Sequence, residues 1–301
     1  MSEETTFRSG FVALIGLPNV GKSTLLNALL EFRLSIVSPS PQTTRHKILG
    51  ILNGSDHQIC FLDTPGLLGK ADDSLQDILI KATRSAIKQD ADLLIVVVAP
   101  GKPSPETLAQ LKKTASAGKP IILVVNKSDM EADKEKLSAC AKIYEEALPV
   151  SETHFLSALK KNGTKELREA IARRLPLSRP FYGKDQMSDR WERFFVSEIV
   201  REALFDLYRA EVPHACAVEI EQFKERKGRP DQIRATIFVE RATQKAILLG
   251  KGGKALRKLG AKCRAAVGTF LGRRADLELW IKVRPSWRRD KTALKELGYS
   301  P

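Results

Sequence analysis

The sequence predicts a doubly wound α/β domain followed by a smaller α+β domain, and three observations carry that prediction. Near the N-terminus an apolar run, residues 11–15, passes through a glycine-bearing turn, residues 16–23, into a helical pattern, residues 24–30. Near-continuous apolar runs at 91–98 and 121–125 then alternate with helical stretches, as strands covered on both faces of a parallel sheet do. Beyond residue 188 the strand-like runs change character. They alternate apolar with polar residues, the pattern of strands with one solvated face. Domain boundaries follow from the breakers Pro176, Ser178, Pro180 and Gly183. They place the first domain at 1–176, a linker at 177–188 and the second domain at 189–301.

The chain has 301 residues and a net charge of +14. That charge is uneven. From Phe181 onward there are 26 Lys+Arg against 16 Asp+Glu, and within 241–301 the count is 16 against 4. A basic excess on one domain points to a polyanionic partner. No apolar run approaches the roughly 20 residues that span a bilayer. The first six residues, Met1-Ser2-Glu3-Glu4-Thr5-Thr6, lack the basic-then-apolar build of a signal peptide. The four cysteines (Cys60, Cys140, Cys216, Cys263) are scattered, so reduced thiols in a cytoplasmic protein are expected. No leftover amphipathic stripe asks for a partner, and a monomer is expected.

Gly16-Leu17-Pro18-Asn19-Val20-Gly21-Lys22-Ser23 fits G-x-x-x-x-G-K-[ST] in its strand–turn–helix context, which is where that pattern means a P-loop. Its glycines let backbone N–H groups wrap a phosphate chain at a helix N-terminus. Lys22 is placed to reach the β- and γ-phosphates, and the Ser23 hydroxyl to bind Mg²⁺. Gly16, Pro18, Asn19, Val20, Gly21, Lys22, Ser23 and Thr24 are therefore candidate nucleotide contacts. A polar stretch with two prolines, residues 38–46, reads as a loop. Two β-like runs, 48–52 and 57–62, flank Asn53-Gly54 and predict a hairpin. The second ends in Asp63-Thr64-Pro65-Gly66. Asp63 is suited to the Mg²⁺ shell, and the Gly66 N–H to the γ-phosphate.

Helical patterns follow at 72–89 and 104–116, the latter with Pro105 in its first turn. The run 121–125 delivers Asn126-Lys127-Ser128-Asp129. A carboxylate at Asp129 can accept from both N1–H and the exocyclic amine of guanine. Adenine offers no such pair and would leave the charge unmatched. Asn126 is expected to brace that pocket and the Lys127 stem to lie over the ring. A further strand-like run, 153–156, leads into Ser157-Ala158-Leu159, where a backbone N–H can meet guanine O6.

These five motifs in this order resemble the translation-factor class of small GTPases. The resemblance implies GTP and GDP as ligands, and it gives Thr44, the second Thr of Gln42-Thr43-Thr44-Arg45, as the switch-loop ligand to Mg²⁺. The expected metal set is Ser23, Thr44 and Asp63, and the expected catalytic set Lys22, Thr44 and Gly66. The residue after Gly66 is Leu67, where Ras-like relatives carry a water-positioning Gln. The sequence is similar to GTPases with that hydrophobic replacement, some of which use a monovalent cation held partly by a P-loop Asn, here Asn19. Slow intrinsic hydrolysis is expected, with K⁺ as a candidate stimulant.

In the second half, Ser188 or Asp189 is the expected cap of a helix over 191–208, and two alternating strands follow at 215–221 and 233–240. Ala246-Ile247-Leu248-Leu249-Gly250-Lys251-Gly252-Gly253-Lys254 then carries G-x-x-G between two helices. The order α-β-β-α-G-x-x-G-α-β with basic neighbours is that of a type II KH domain, whose loop clamps about four nucleotides of backbone. Gly250, Lys251, Gly252, Gly253 and Lys254 are the expected RNA contacts, with Ile237 and Ile247 lining an apolar groove for bases. A last helix is expected to carry Trp287-Arg288-Arg289, with Trp280 and Trp287 more suited to core packing than to stacking on bases.

A P-loop GTPase domain followed by one KH module resembles the Era family of bacterial ribosome-assembly GTPases over almost the whole chain. Pro41-Gln42-Thr43-Thr44-Arg45-His46, Ser188-Asp189-Arg190-Trp191-Glu192-Arg193 and the run 250–299 carry that likeness. It implies binding to the 3′ end of small-subunit (16S) ribosomal RNA, a role in small ribosomal subunit assembly, and loose peripheral association with the inner membrane. Ser40 and Gly183-Lys184 depart from the family pattern, outside the phosphate, guanine and G-x-x-G contacts. Two other classes stay open on sequence alone: an RNA scaffold that nucleotide merely stabilises, and a P-loop ATPase or kinase, which Asn126-Lys127-Ser128-Asp129 disfavours.

Overall fold

The structure is a computed structural model and describes residues 6–38, 40, 43–67, 71–115 and 118–299. Pro41 and Gln42 of the quoted motif and the N-terminal residues 1–5 lie outside the described residues. The chain divides into two compact units. One comprises the described residues up to 71 together with 76–189, and the other comprises 72–75 and 190–299. Among the described residues no helix is long and apolar enough to cross a membrane.

The first unit is a six-stranded sheet in the order β2-β3-β1-β4-β5-β6. Its strands are β1 (Arg8–Ile15), β2 (Ile48–Asn53), β3 (His57–Asp63), β4 (Leu93–Val98), β5 (Ile121–Val125) and β6 (Val150–Phe155). Only β2 runs antiparallel, paired with β3 through the expected hairpin. Every residue of β4 and β5 is buried, which is why both read as unbroken apolar runs. The helices are α1 (Lys22–Leu30), α2 (Ser74–Ser85, whose first two residues are counted with the second unit), α3 (Pro105–Ala115), α4 (Lys134–Ala147) and α5 (Thr164–Arg174). The helical pattern at 72–89 ends in a π-turn, Ala86–Asp90, after α2. Helix α4 was not expected from the sequence. Asp133 caps it, accepting from the Glu135 and Lys136 amides, and Leu137, Cys140, Ala141 and Tyr144 make its buried stripe.

The breaker-rich stretch 177–188 is strapped to the first unit. Gln58, wholly buried on β3, holds it. Its Oε1 accepts from the Phe181 and Tyr182 amides at 2.7 and 3.0 Å, and its Nε2 donates to the Tyr182 carbonyl at 2.9 Å. Further along, the Ile51 amide donates to the Met187 carbonyl, and the Ser188 hydroxyl to the Leu49 carbonyl. Ser188 is thus taken by β2 and does not cap the next helix.

The second unit contains α6 (Glu192–Leu207), β7 (Ala217–Lys224), β8 (Asp231–Val239), α7 (Ala242–Leu249), α8 (Lys254–Leu271), β9 (Ala275–Val283) and α9 (Lys291–Glu296). Its sheet order is β7-β8-β9, antiparallel then parallel. Trp191 stands at the cap position of α6 without a side-chain cap, so neither Ser188 nor Asp189 serves. The inner face of the sheet, including Ile220, Ile233, Ala235 and Ile281, packs against Val196, Val200, Leu259 and Cys263 of the helices. Trp287, Arg288 and Arg289 lie in turns before α9 rather than on it. Trp287 is fully buried, donates its indole N–H to the Ala215 carbonyl at 2.9 Å and stacks on Tyr299. Trp280 is half-exposed.

The Gln58 bonds carry a measurable cost. Gln58→Ala leaves the Phe181 and Tyr182 amides without their acceptor, which costs about 1–3 kcal/mol. In a unit of this size the thermal midpoint should fall by roughly 2–10 °C. Differential scanning calorimetry of the full chain would check it, and an unchanged midpoint would show that the strap contributes nothing.

Candidate nucleotide site and nucleic-acid groove

The first site is built where β1 and β3 end side by side, with Leu14 registered against Asp63. Gly16 and Gly21 have no room for a side chain. A Cβ on Gly16 would lie 2.2 Å from the Val97 carbonyl oxygen, and one on Gly21 2.4 Å from Asn126 Nδ2. Gly21 also holds a φ of +95° immediately before α1, a conformation that costs glycine little. The turn therefore closes tightly and leaves the helix N-terminus open. Pro18, Asn19, Gly21, Lys22, Ser23, Thr24, Thr44 and Gly66 line one cleft. The Val20 side chain is buried beneath it.

Lys22 is 7% exposed and donates to the carbonyls of Gly16 and Leu17 at 3.1 and 2.8 Å. Burial lowers its pKa to about 8, against an opposing pull from Asp63. Asp63 is fully buried, and burial pushes its carboxyl above the usual carboxylate range, partly offset by Lys22. Its Oδ2 accepts from Ser23 Oγ at 3.1 Å and from Thr44 Oγ1 at 3.5 Å, and the two hydroxyls are 3.1 Å apart. Its Oδ1 is buried with no hydrogen-bond partner. Two hydroxyls and an unsatisfied carboxylate oxygen form a hard oxygen donor set that fits Mg²⁺. Among the described residues no cluster of three or more His, Cys, Asp or Glu offers another kind of metal site.

Gly66 lies against Pro18, where a Cβ would meet the Pro18 nitrogen at 3.0 Å. The Leu67 amide donates to the Gly16 carbonyl, and the Leu67 side chain packs partly buried against the α/β core. The side chain that replaces a water-positioning Gln thus serves packing.

Asn126, at the end of β5, ties three loops together. Its Nδ2 donates to the Val20 carbonyl, and its Oδ1 accepts from the Ala158 amide, both at 2.9 Å. Lys127 sits at a φ of +60° and donates through Nζ to the Asn19 carbonyl at 2.7 Å, so its stem spans from the base loop to the P-loop. Asp129 accepts from the Ser157 hydroxyl, which holds its carboxyl below the usual range, and Lys160 stands 3.8 Å away. Of the amides expected near guanine O6, that of Ser157 donates to the Asn162 carbonyl and that of Ala158 to Asn126 Oδ1. That leaves the Leu159 N–H, on a residue 78% exposed.

The second site is in the other unit. Gly250, Gly252 and Gly253 all have positive φ, between +59° and +72°. At Gly250 a Cβ would also come 2.7 Å from Ala255 Cβ, whereas Gly252 and Gly253 face open space. Gly250 thus permits close packing onto α8, and the later two give the loop its shape and its bare outer surface. Lys251 and Lys254 are exposed beside it. Arg257 donates to the Gly252 carbonyl at 2.8 Å and steadies the loop. Ile247 is 49% exposed on α7. Ile237 is corrected: it is wholly buried in the core of the unit, because the inward face of β8 packs on the helices. The apolar lining beside the loop comes from Leu256, Leu277 and Leu279. Sequence reasoning missed these three, although the spacing of Gly253, Leu256 and Gly260 and the alternation in β9 carried the signal.

A doubly wound P-loop domain followed by a type II KH unit defines a GTPase that carries a nucleic-acid-binding module. The family described as 50S ribosome-binding GTPase matches residues 11–127, and the KH domain family matches 211–288. The GTPase Era of Elusimicrobium minutum is 40% identical over 294 residues, covering 97% of each chain. That of Xanthomonas campestris is 40% identical over 299 residues, covering 99% and 100%. An Aquifex aeolicus Era variant bound to GDP·AlF4⁻ superposes with a TM-score of 0.93 at 34% identity, over 98% of this chain and 100% of that one. An Era complex with MgGDPNP and nucleotides 1506–1542 of 16S ribosomal RNA matches with the same values. The chain belongs to the Era family of GTPases.

Phosphate binding favours the charged amine of Lys22, and the free protein loses that charge above about pH 8. Nucleotide affinity should therefore fall as pH rises through 8, and binding there should take up a proton. Calorimetric titration with GDP in buffers of different ionisation enthalpy would read the uptake. An affinity and proton count flat from pH 7 to 9.5 would show that Lys22 stays charged. Separately, Asp129→Asn should shift the GTP:XTP preference toward XTP by roughly a hundredfold. An unchanged ratio would remove Asp129 from the base pocket.

Proposed function

We propose that this protein hydrolyses GTP to switch an RNA-binding module that acts on the 3′ end of 16S ribosomal RNA during small-subunit assembly. What carries the reading is the meeting of Ser23, Thr44 and Asp63 at one buried point, in a chain that also carries the bare three-glycine loop. The Era complex with the 16S fragment supports the choice of RNA.

In this reading Ser23, Thr44 and Asp63 hold Mg²⁺, which neutralises charge on the β- and γ-phosphates. Lys22 exchanges its bonds to the Gly16 and Leu17 carbonyls for phosphate oxygens. The Gly66 amide and the Thr44 loop sense the γ-phosphate, and its loss releases both. Asp129 selects guanine, with Asn126 and Ser157 fixing its surroundings. Leu67 has no polar atom with which to orient water, so intrinsic hydrolysis is slow. Asn19, at a φ of +63°, is offered as part of a K⁺ site that speeds it. The protein acts in the cytoplasm as a monomer, with loose peripheral contact with the inner membrane.

Multiple-turnover phosphate release should be slow and several-fold faster in K⁺ than in Na⁺. Equal rates would remove the cation. RNA crosslinking with sequencing in cells should concentrate reads at the 3′ end of small-subunit ribosomal RNA. Gly252→Asp should abolish them by repelling phosphate while leaving GTP hydrolysis unchanged. Reads spread over many RNAs, or indifferent to Gly252→Asp, would refute the assignment of the RNA.

A further inference from the structure

We propose that Thr83 is a positioning residue for the γ-phosphate: its hydroxyl, on α2, holds the Pro65 carbonyl and so turns the Gly66 amide into the nucleotide cleft. The inference rests on the reading of Gly66 as the γ-phosphate sensor, and it names the group that sets the direction of that sensor.

Residues 64–67 follow the end of β3, and three bonds tie them down. The Thr64 hydroxyl donates to the Leu14 carbonyl at 2.8 Å. The Leu67 amide donates to the Gly16 carbonyl at 3.1 Å. Both of these run to β1 and the turn that follows it. The third comes from α2, where Thr83 Oγ1 donates to the Pro65 carbonyl at 3.2 Å. Thr83 is 4% exposed and Pro65 is buried, and a buried carbonyl requires a donor. All of these residues belong to the first unit.

The link from that bond to the phosphate is the geometry of one peptide group. The Pro65–Gly66 peptide is trans, so its C=O and N–H point in opposite directions. A carbonyl held by α2 therefore aims the Gly66 N–H away from α2. Gly66 lines the nucleotide cleft with Lys22, Ser23 and Thr44. Among the described residues its amide has no acceptor. The proline ring fixes φ of Pro65, so the peptide plane turns only through ψ of Pro65 and φ of Gly66. Holding the carbonyl stops that rotation.

Thr83 is built to release the loop as well as to hold it. Its hydroxyl has one proton and two carbonyls within reach, Pro65 at 3.2 Å and Leu79 at 3.0 Å. The Leu79 carbonyl lies four residues back on the same helix, the ordinary partner of a threonine inside a helix. The bond to Pro65 is thus not needed to satisfy the hydroxyl. When the loop turns away, the proton stays with Leu79 and no buried donor is left unpaired. A donor without that second acceptor would resist the movement by its full desolvation penalty.

The test is calorimetric titration of the full chain with GDP and with GDPNP in Mg²⁺ buffer. Thr83→Val keeps the shape and the branched Cβ but has no proton to donate. It should bind GDP within about twofold of wild type and GDPNP about fivefold more weakly, the effect of one hydrogen bond. Thr83→Ser keeps the hydroxyl and should keep wild-type GDPNP affinity. Thr83→Ala removes the hydroxyl with a smaller side chain. It should change the GDPNP:GDP ratio as Val does, so the result does not depend on one variant's folding. Equal weakening of both nucleotides, or an unchanged ratio, in the Val and Ala variants would reduce Thr83 to packing and overturn the proposal. A Ser variant that behaves like Val would overturn it too. Hydrogen exchange of residues 64–67 in the wild type separates this failure from that of the underlying reading. Slower exchange with GDPNP than with GDP would uphold Gly66 as the sensor even where the Thr83 variants overturn the present inference. Equal exchange would overturn that reading and this inference with it.

Discussion

The first unit depends on a carboxylate buried without full compensation. Asp63 has no solvent exposure, one oxygen shared between two hydroxyls and one oxygen with no partner. Burial of that kind is costly unless a cation or donor completes the shell. The neighbouring Lys22 is itself buried and has lost part of its hold on its proton. Each group is poorly solvated, and each partly relieves the other. The site is therefore prepared for a ligand that brings both a metal and phosphate charge, and the sheet register that sets Leu14 beside Asp63 aligns it.

The two glycine-rich turns show different uses of the same residue. In the P-loop, Gly16 and Gly21 are needed because backbone and Asn126 occupy the space a side chain would take. In the second unit, Gly250 yields to packing by Ala255, whereas Gly252 and Gly253 have open space and are required by backbone conformation. Crowding in the first turn fixes a cradle. Openness in the second leaves a bare surface that a polymer backbone can approach. Arg257, bonded to the Gly252 carbonyl, gives that surface a fixed shape.

Much of the fold was legible from the sequence, with identifiable exceptions. The buried strands β4 and β5 and the hairpin at Asn53-Gly54 were plain, because burial on both faces and turn chemistry leave local marks. Helix α4 passed unnoticed although Asp133 caps it, since its apolar stripe is sparse. The stretch 177–188 read as a linker because Pro and Gly signal only the absence of regular structure. They do not reveal that Gln58, more than a hundred residues away, satisfies its amides. Ile237 and Ile247 looked alike as apolar neighbours of the loop, yet one faces the core and the other solvent.

The sequence by itself determined the chemistry at each motif. Residue types and spacing pointed to a phosphate cradle at 16–23, a guanine-directed carboxylate at 129 and a clamp at 250–253. Those demands are local, set by backbone conformation and functional groups within a few residues. Only the tertiary structure decided which groups complete each site: the convergence of Ser23, Thr44 and Asp63, the tie from Asn126 to Val20 and Ala158, and the apolar groove lining from Leu256, Leu277 and Leu279. Such contacts join residues far apart in the chain. Sheet register and helix packing bring them together, and no local pattern encodes that distance.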